Sequence, residues 1–287
     1  MKKYVITSVL IGSVIVLSAC KPVDWAQQQW NSAFNDSKEE SEKDKEKENN
    51  DSKPNESQQD QPPSDTDETG EPENPQETDL PWLNETVTVS GDGKAIVQNL
   101  DDMLIVANKE RNLPEDYVPA DLVTPNVPFP FKEDLPKKKL RKEAALSVEV
   151  LFKAAEEQGL ELLAQSGYRS YDTQVSIFAY NADQYGEEKA NQTSAQPGQS
   201  EHQTGLSLDV TSPQVNYELV EEFGETKEGK WLAENAHKYG FIIRYLKDKE
   251  EITGYQYEPW HLRYVGVEHA KEIHERGITL EEYLQKP

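Results

Sequence analysis

From Asn35 to Asp79 the chain carries no aliphatic or aromatic side chain. A polypeptide of that composition cannot bury enough apolar surface to offset the entropy of ordering its backbone. Residues 21–80 hold 18 acidic and 6 basic residues, a net charge of −12 and half of the −24 of the whole chain. Like charges and prolines keep such a segment extended. Folding is therefore confined to the residues C-terminal to it. From about residue 85 some 200 residues remain, enough for one domain with a real core. No internal repeat interrupts them. The expected division is a leader over 1–19, a disordered acidic tether over 20–84 and a single folded domain over 85–287.

The leader begins with Met1, Lys2 and Lys3 and continues as an apolar run from Val5 to Leu17. That run is short for a membrane span and suits the core of a signal peptide. It ends in Leu17-Ser18-Ala19-Cys20, which resembles the lipobox of bacterial lipoproteins. The resemblance implies that Cys20 becomes the lipidated N-terminus on the outer face of a bacterial cell membrane. An uncleaved signal anchor is the alternative. Cys20 is the only cysteine, so no disulfide can form within the chain. The strong negative charge argues against a nucleic-acid partner, which needs a basic footprint.

Short strand-like pieces open the folded region at Val87-Thr88-Val89, Ile96-Val97 and Leu104-Ile105-Val106. Five prolines between Pro114 and Pro130 then predict an extended arm, because proline removes ladder donors and breaks helices. Helical periodicity over 137–158 places Leu140, Ala144, Ser147, Leu151, Ala154 and Ala155 on one face, with Gly159 as terminator and the lysines of 137–142 on the wet side. A strand is expected over 160–166. A helix comes next, from near Ser170 to Tyr185, then a strand over 206–210 and a helix over 230–239 before Gly240. Strands over 241–245 and 254–257 read as a hairpin, and a final helix spans 267–276. The pattern predicts an α+β fold, with a small central antiparallel sheet flanked by helices.

Three stretches carry chemistry. In Ser200-Glu201-His202-Gln203-Thr204-Gly205-Leu206-Ser207-Leu208-Asp209, strand alternation sends Leu206, Leu208 and Val210 to the core and Asp209 to the opposite face. Gly205 leaves room for the preceding loop to fold His202 over that face. In Glu258-Pro259-Trp260-His261, the proline is expected to end the hairpin strand, so that Glu258 and His261 flank one sharp bend. Two histidines and an aspartate form a zinc set with a fourth position left for water, the pattern of a catalytic site. Glu258 is then the candidate to carry the water's proton to the leaving amine. In Ser166-Gly167-Tyr168-Arg169-Ser170, Arg169 follows a strand on a glycine turn, placed to hold a substrate carboxylate or a developing oxyanion.

These stretches resemble the motifs of VanY-type D-alanyl-D-alanine carboxypeptidases, in the zinc-peptidase group that includes lysostaphin and the hedgehog signalling domain. Ser200, His202, Gly205 and Asp209 match S-x-H-x-x-G-x-x-x-D. Glu258, Trp260 and His261 match E-x-W-H, and residues 166–170 match S-G-Y-R-S. The resemblance covers about 110–280. It implies Zn²⁺ on His202, Asp209 and His261, Glu258 as catalytic base, and Arg169 against the substrate or oxyanion. It also implies that Gln174, Ser200, Trp260 and Tyr168 line the substrate pocket. Gln199, where many relatives have histidine, is expected to face solvent. The implied activity is removal of the terminal D-alanine from peptidoglycan stem peptides by a monomeric enzyme. D-Ala-D-Ala pentapeptide ends are the first expectation and tetrapeptide ends the close alternative.

Two rival functions fit the residues less well. A serine peptidase on the same substrate needs S-x-x-K, and only Ser18 to Lys21 has that spacing, across the signal cleavage point. A zinc-containing wall-binding module without activity would have lost its base, whereas Glu258 is present. His237, His269 and His274 are expected on solvated helix faces, and Tyr255, Tyr257 and Tyr264 in the core.

Overall fold

The computed structural model describes residues 80–286, less the side chains of residues 192 and 193. The expected signal peptide, Cys20 and the acidic tether lie outside the described residues. After a 3₁₀ turn at Leu83–Glu85, strands β1 (Val87–Val89) and β2 (Ala95–Val97) form a hairpin that β3 (Arg111–Asn112) joins in parallel. The proline-rich arm contains β4 (Leu122–Val123), which pairs with β5 (Leu140–Arg141). Helix α1 (Lys142–Glu156), strand β6 (Leu163–Ser166) and helices α2 (Tyr171–Tyr185) and α3 (Glu187–Thr193) come after it. Next are β7 (Ser207–Thr211), α4 (Lys227–Asn235), β8 (Phe241–Tyr245), α5 (Glu250–Thr253) and β9 (Glu258–Tyr264). Helices α6 (Val267–Arg276) and α7 (Leu280–Tyr283) close the chain. The four-stranded sheet runs β6-β7-β9-β8 and is antiparallel throughout, as the α+β expectation required. Among the described residues no helix is long and apolar enough to cross a membrane.

Alternation along β7 gives the sheet two different faces. Leu206, Leu208 and Val210 are fully buried in the main core with Ala144, Val148, Leu151 and Ala155 of α1. The expected stripe of α1 thus packs inward, though only from Ala144 onward. Leu140 lies in β5 instead, and residues 136–138 form a 3₁₀ turn. Helix α1 ends where Gly159 takes a left-handed φ of 73° and the Leu160 N–H reaches back to the Ala155 carbonyl at 3.0 Å, a closure that favours glycine. Beyond β8, the sheet packs on a second cluster built from Leu104, Val106, Ile242, Val265, Ala270, Ile273, Leu280 and Leu284.

Leu104-Ile105-Val106 is buried but is not a strand. A turn at Asp102, whose carboxylate accepts the Leu104 N–H at 2.7 Å, bends it off any ladder. Buried guanidiniums replace a neighbouring strand: Arg263 donates to the carbonyls of Met103 and Ile105, and Arg111 to that of Val106. The folded chain also begins before residue 85. Trp82 is buried, and the Leu83 N–H bonds the Leu284 carbonyl at 3.1 Å.

The expected strand over 254–257 is absent. Glu250–Thr253 is helical and Gly254 turns left-handed with φ 76°. The second strand of the hairpin is instead Glu258–Tyr264, and Pro259 lies inside it. The register explains how. Ile243 pairs with Leu262 and Tyr245 with Glu258, so β9 spends two extra residues over this step. Pro259 sits in the resulting bulge, where the proline's missing N–H costs no ladder bond.

Candidate active site

His202 lies on a 3₁₀ turn, Glu201–Thr204, that ends at Gly205 with φ 67°. A side chain at Gly205 would lie 2.7 Å from Leu122 Cδ2, so the glycine admits the arm as well as the turn. The His202 Nδ1 lies 2.8 Å from the Gly167 carbonyl. A carbonyl can only accept, so Nδ1 carries the proton and Nε2 offers its lone pair inward. Asp209 on β7 and His261 on β9 are direct cross-strand partners. Asp209 Oδ2 lies 3.3 Å from His202 Nε2, and Asp209 Oδ1 lies 3.0 Å from His261 Nδ1. The two imidazoles are 5.0 Å apart at 74°. All three residues are at most 5% exposed, and their donor atoms lie within 4.8 Å of one another.

The bulge in β9 corrects the bend expected at Pro259 and explains the position of Glu258. In a regular strand, residues three apart face opposite sides. The bulge breaks that regular alternation, and Glu258 Oε2 sits 3.6 Å from His261 Nδ1. Burial pushes the Glu258 carboxyl up to about 7; His261, Arg169 and Lys109 pull it down, while Asp209 adds to the rise. That value is near the range in which a carboxylate exchanges protons efficiently at neutral pH.

Arg169 projects from the loop after β6, with its backbone N–H on the His202 carbonyl at 3.1 Å. Its guanidinium donates to Gln174 Oε1 at 2.9 Å and to Ser166 Oγ at 3.4 Å. Arg169, His202, Asp209, Glu258 and His261 all border one cleft of about 220 Å³.

The expected pocket residues divide. Ser200 and Trp260 line the cleft. Gln174 does not: it is 1% exposed and sits behind Arg169, donating to the Ala195 carbonyl at 2.6 Å. It therefore couples the arginine to the cleft wall at Ser194 and Ala195. Tyr168 is also buried away from the cleft, its N–H on the Lys139 carbonyl. Gln199 faces inward rather than to solvent and donates to the Lys109 carbonyl at 3.0 Å. Tyr255 is buried in a small core cluster with Ala195 and Tyr245, as expected, and also walls the cleft; the Lys109 ammonium lies 4.2 Å over its ring. His237 and His274 are not simply solvated: their rings stack at 3.8 Å, and burial lowers His237 to about 4. His269 bonds the Tyr283 hydroxyl through Nδ1. Lys137 and Lys138 lie on the 3₁₀ turn before β5, outside α1, with their ammonium groups over Phe131.

Glu201 is a further residue of the site, and its position in the sequence does not announce it. It is 1% exposed, and its Oε1 accepts from Arg244 Nε at 2.7 Å and Arg263 Nη1 at 2.8 Å. Arg244 is held in turn by both oxygens of Glu281. Burial alone would raise Glu201, but the two guanidiniums outweigh it and hold the carboxyl well below its ordinary range. The one signal in the sequence is a carboxylate between Ser200 and His202 with no local cation.

The donor set fits a cation. Asp209 Oδ1 is buried without a hydrogen-bond partner, though 3.0 Å from an imidazole nitrogen. The two atoms are close but not aligned on each other, as groups aimed at a shared third point would be. Burial would lower His261, yet Asp209 and Glu201 outweigh it and push it up to about 9. Negative charge thus gathers where an ion would sit. Burial lowers His202 and favours the neutral ligand form.

The VanY model, described as D-alanyl-D-alanine carboxypeptidase, matches residues 137–267. A D-alanyl-D-alanine carboxypeptidase of Enterococcus faecalis (strain ATCC 700802 / V583) is 34% identical over 224 residues, 73% of this chain and 80% of the relative. The chain belongs to the VanY family. It is a zinc carboxypeptidase. The solved structure of the LdcB LD-carboxypeptidase is 52% identical with a TM-score of 0.66, over 68% of this chain and 91% of that one. A zinc-bound vancomycin-resistance D,D-pentapeptidase VanY is 34% identical with a TM-score of 0.51, over 64% and 99%. Zinc is the cofactor, and in this VanY-family chain His202, Asp209 and His261 are the residues that fit it.

Proposed function

We propose that this chain depends on zinc to remove the C-terminal D-alanine from peptidoglycan stem peptides, and that it prefers tetrapeptide ends as an L,D-carboxypeptidase. The observation that carries the activity is the convergence of three buried donors with Glu258 at 3.6 Å from His261. The tetrapeptide preference is supported by 52% identity to an LD-carboxypeptidase against 34% to a D,D-pentapeptidase. This reverses the order expected from the motifs.

His202, Asp209 and His261 hold the metal. When bound, zinc supplies Lewis acidity to the scissile carbonyl and to water. Glu258 takes the proton of the attacking water and returns it to the leaving amine. Arg169, braced by Gln174 and Ser166, presents a fixed cation to the substrate's terminal carboxylate or to the developing oxyanion. A cation that grips a free carboxylate favours chain ends over crosslinks. An inactive wall-binding module is disfavoured, because a half-buried Glu258 beside the ligands has no binding role to explain it.

Synthetic tetra- and pentapeptide stems, incubated with the protein and analysed by mass, test the reading. Loss of one alanine from the tetrapeptide is expected to be the faster reaction. Faster trimming of the pentapeptide would overturn the L,D preference, and release from neither would end the peptidase proposal.

In this reading Cys20 carries a lipid at the outer face of a bacterial membrane, and the acidic segment is the spacer that lets a monomeric domain reach the wall. The sequence of residues 1–20 supports it. Cys20→Ser is expected to move the protein to the soluble fraction. Retention with the membrane would indicate an uncleaved signal anchor instead.

A further inference from the structure

The two ligand imidazoles differ in what holds their outer nitrogens. His202 is fixed by the Gly167 carbonyl at 2.8 Å. His261 turns Nδ1 to Asp209, and its Nε2 is buried with no hydrogen-bond partner. A buried N–H left without an acceptor loses its hydration with nothing in return. The group facing that nitrogen is Glu201 Oε2, at 3.8 Å.

Glu201 is built to stay there. Its Oε1 takes both guanidinium bonds, from Arg244 and Arg263. Its Oε2 accepts only the Ser207 hydroxyl, at 3.2 Å. The remaining gap to His261 is about 1 Å longer than a hydrogen bond. A small rotation of the carboxylate about its anchored oxygen closes it. Arg244 and Arg263 are themselves held by Glu281 and by the Met103 and Ile105 carbonyls.

We infer that Glu201 is a positioning residue for the metal centre: its carboxylate accepts the Nε2–H of His261 and so fixes Nδ1 as the ligand atom. A metal-bound histidine whose second nitrogen donates to a carboxylate is held in one tautomer and one orientation. This role rests on the zinc reading of His202, Asp209 and His261.

Zinc affinity by chelator competition, and histidine ¹⁵N NMR of the zinc-loaded protein, test it. Glu201→Gln turns an amide donor toward the His261 N–H and is expected to weaken zinc binding roughly 10–100-fold. Glu281→Gln breaks the far end of the same ion network and is expected to lower thermal stability while leaving zinc affinity near wild type. Equal weakening by both variants would make Glu201 a structural residue only, and no weakening by Glu201→Gln would also overturn the inference. If Glu201→Gln does not fold, the wild-type spectrum decides. The His261 proton is expected on Nε2, shifted downfield and slow to exchange, and finding it on Nδ1 would refute the assignment. Failure of the wild type to bind zinc at all would instead break the metal reading.

Discussion

Glu258→Gln is expected to bind zinc as the wild type does and to lose activity by roughly 10²–10⁴-fold, the usual cost of removing a general acid–base group. The geometry gives the reason for both halves. Glu258 lies 3.6 Å from a ligand nitrogen but is not among the three donors that converge. Its removal therefore leaves the metal's protein partners intact. An amide of the same shape keeps the packing of the bulge but cannot accept the proton. Measured zinc content alongside kcat separates the two effects. Near-wild-type turnover would remove Glu258 from the chemistry, while loss of zinc in step with activity would make it a ligand.

His202→Ala is expected to abolish both metal and activity. The residue supplies one of three donors from a buried position, and alanine offers no lone pair in its place. The loss also leaves Asp209 deprived of one of the two imidazoles that hold its carboxyl well below its ordinary range against burial. A full zinc complement in purified His202→Ala, measured by atomic absorption, would contradict the ligand set.

The site is more legible in the sequence than the means by which it is assembled. Strand alternation around Leu206, Leu208 and Val210 is enough to place Asp209 opposite the core, and the structure puts it there. The meeting of Glu258 with His261, expected from a sharp bend, arises from a bulge. A bulge is a property of two paired strands, and no local pattern in Glu258-Pro259-Trp260-His261 discloses its partner. The family resemblance implies Gln174 as a pocket residue, but helical geometry turns it inward to brace Arg169. Glu201 stands out in the sequence only as a carboxylate without a local cation, because its partners, Arg244 and Arg263, lie 43 and 62 residues away. Long-range charge pairing of that kind leaves no period to read. Leu104 to Val106 departs from the strand expectation for a related reason: buried arginines take the backbone carbonyls that a neighbouring strand would otherwise bond.

Crystals of the zinc-loaded protein, measured on both sides of the zinc absorption edge, locate the ion directly. A single anomalous peak is expected at about 2.0–2.2 Å from His202 Nε2, His261 Nδ1 and an Asp209 oxygen, with Glu258 beyond coordination distance. A peak elsewhere in the molecule, or one that takes Glu258 in place of any of the three, would contradict the account.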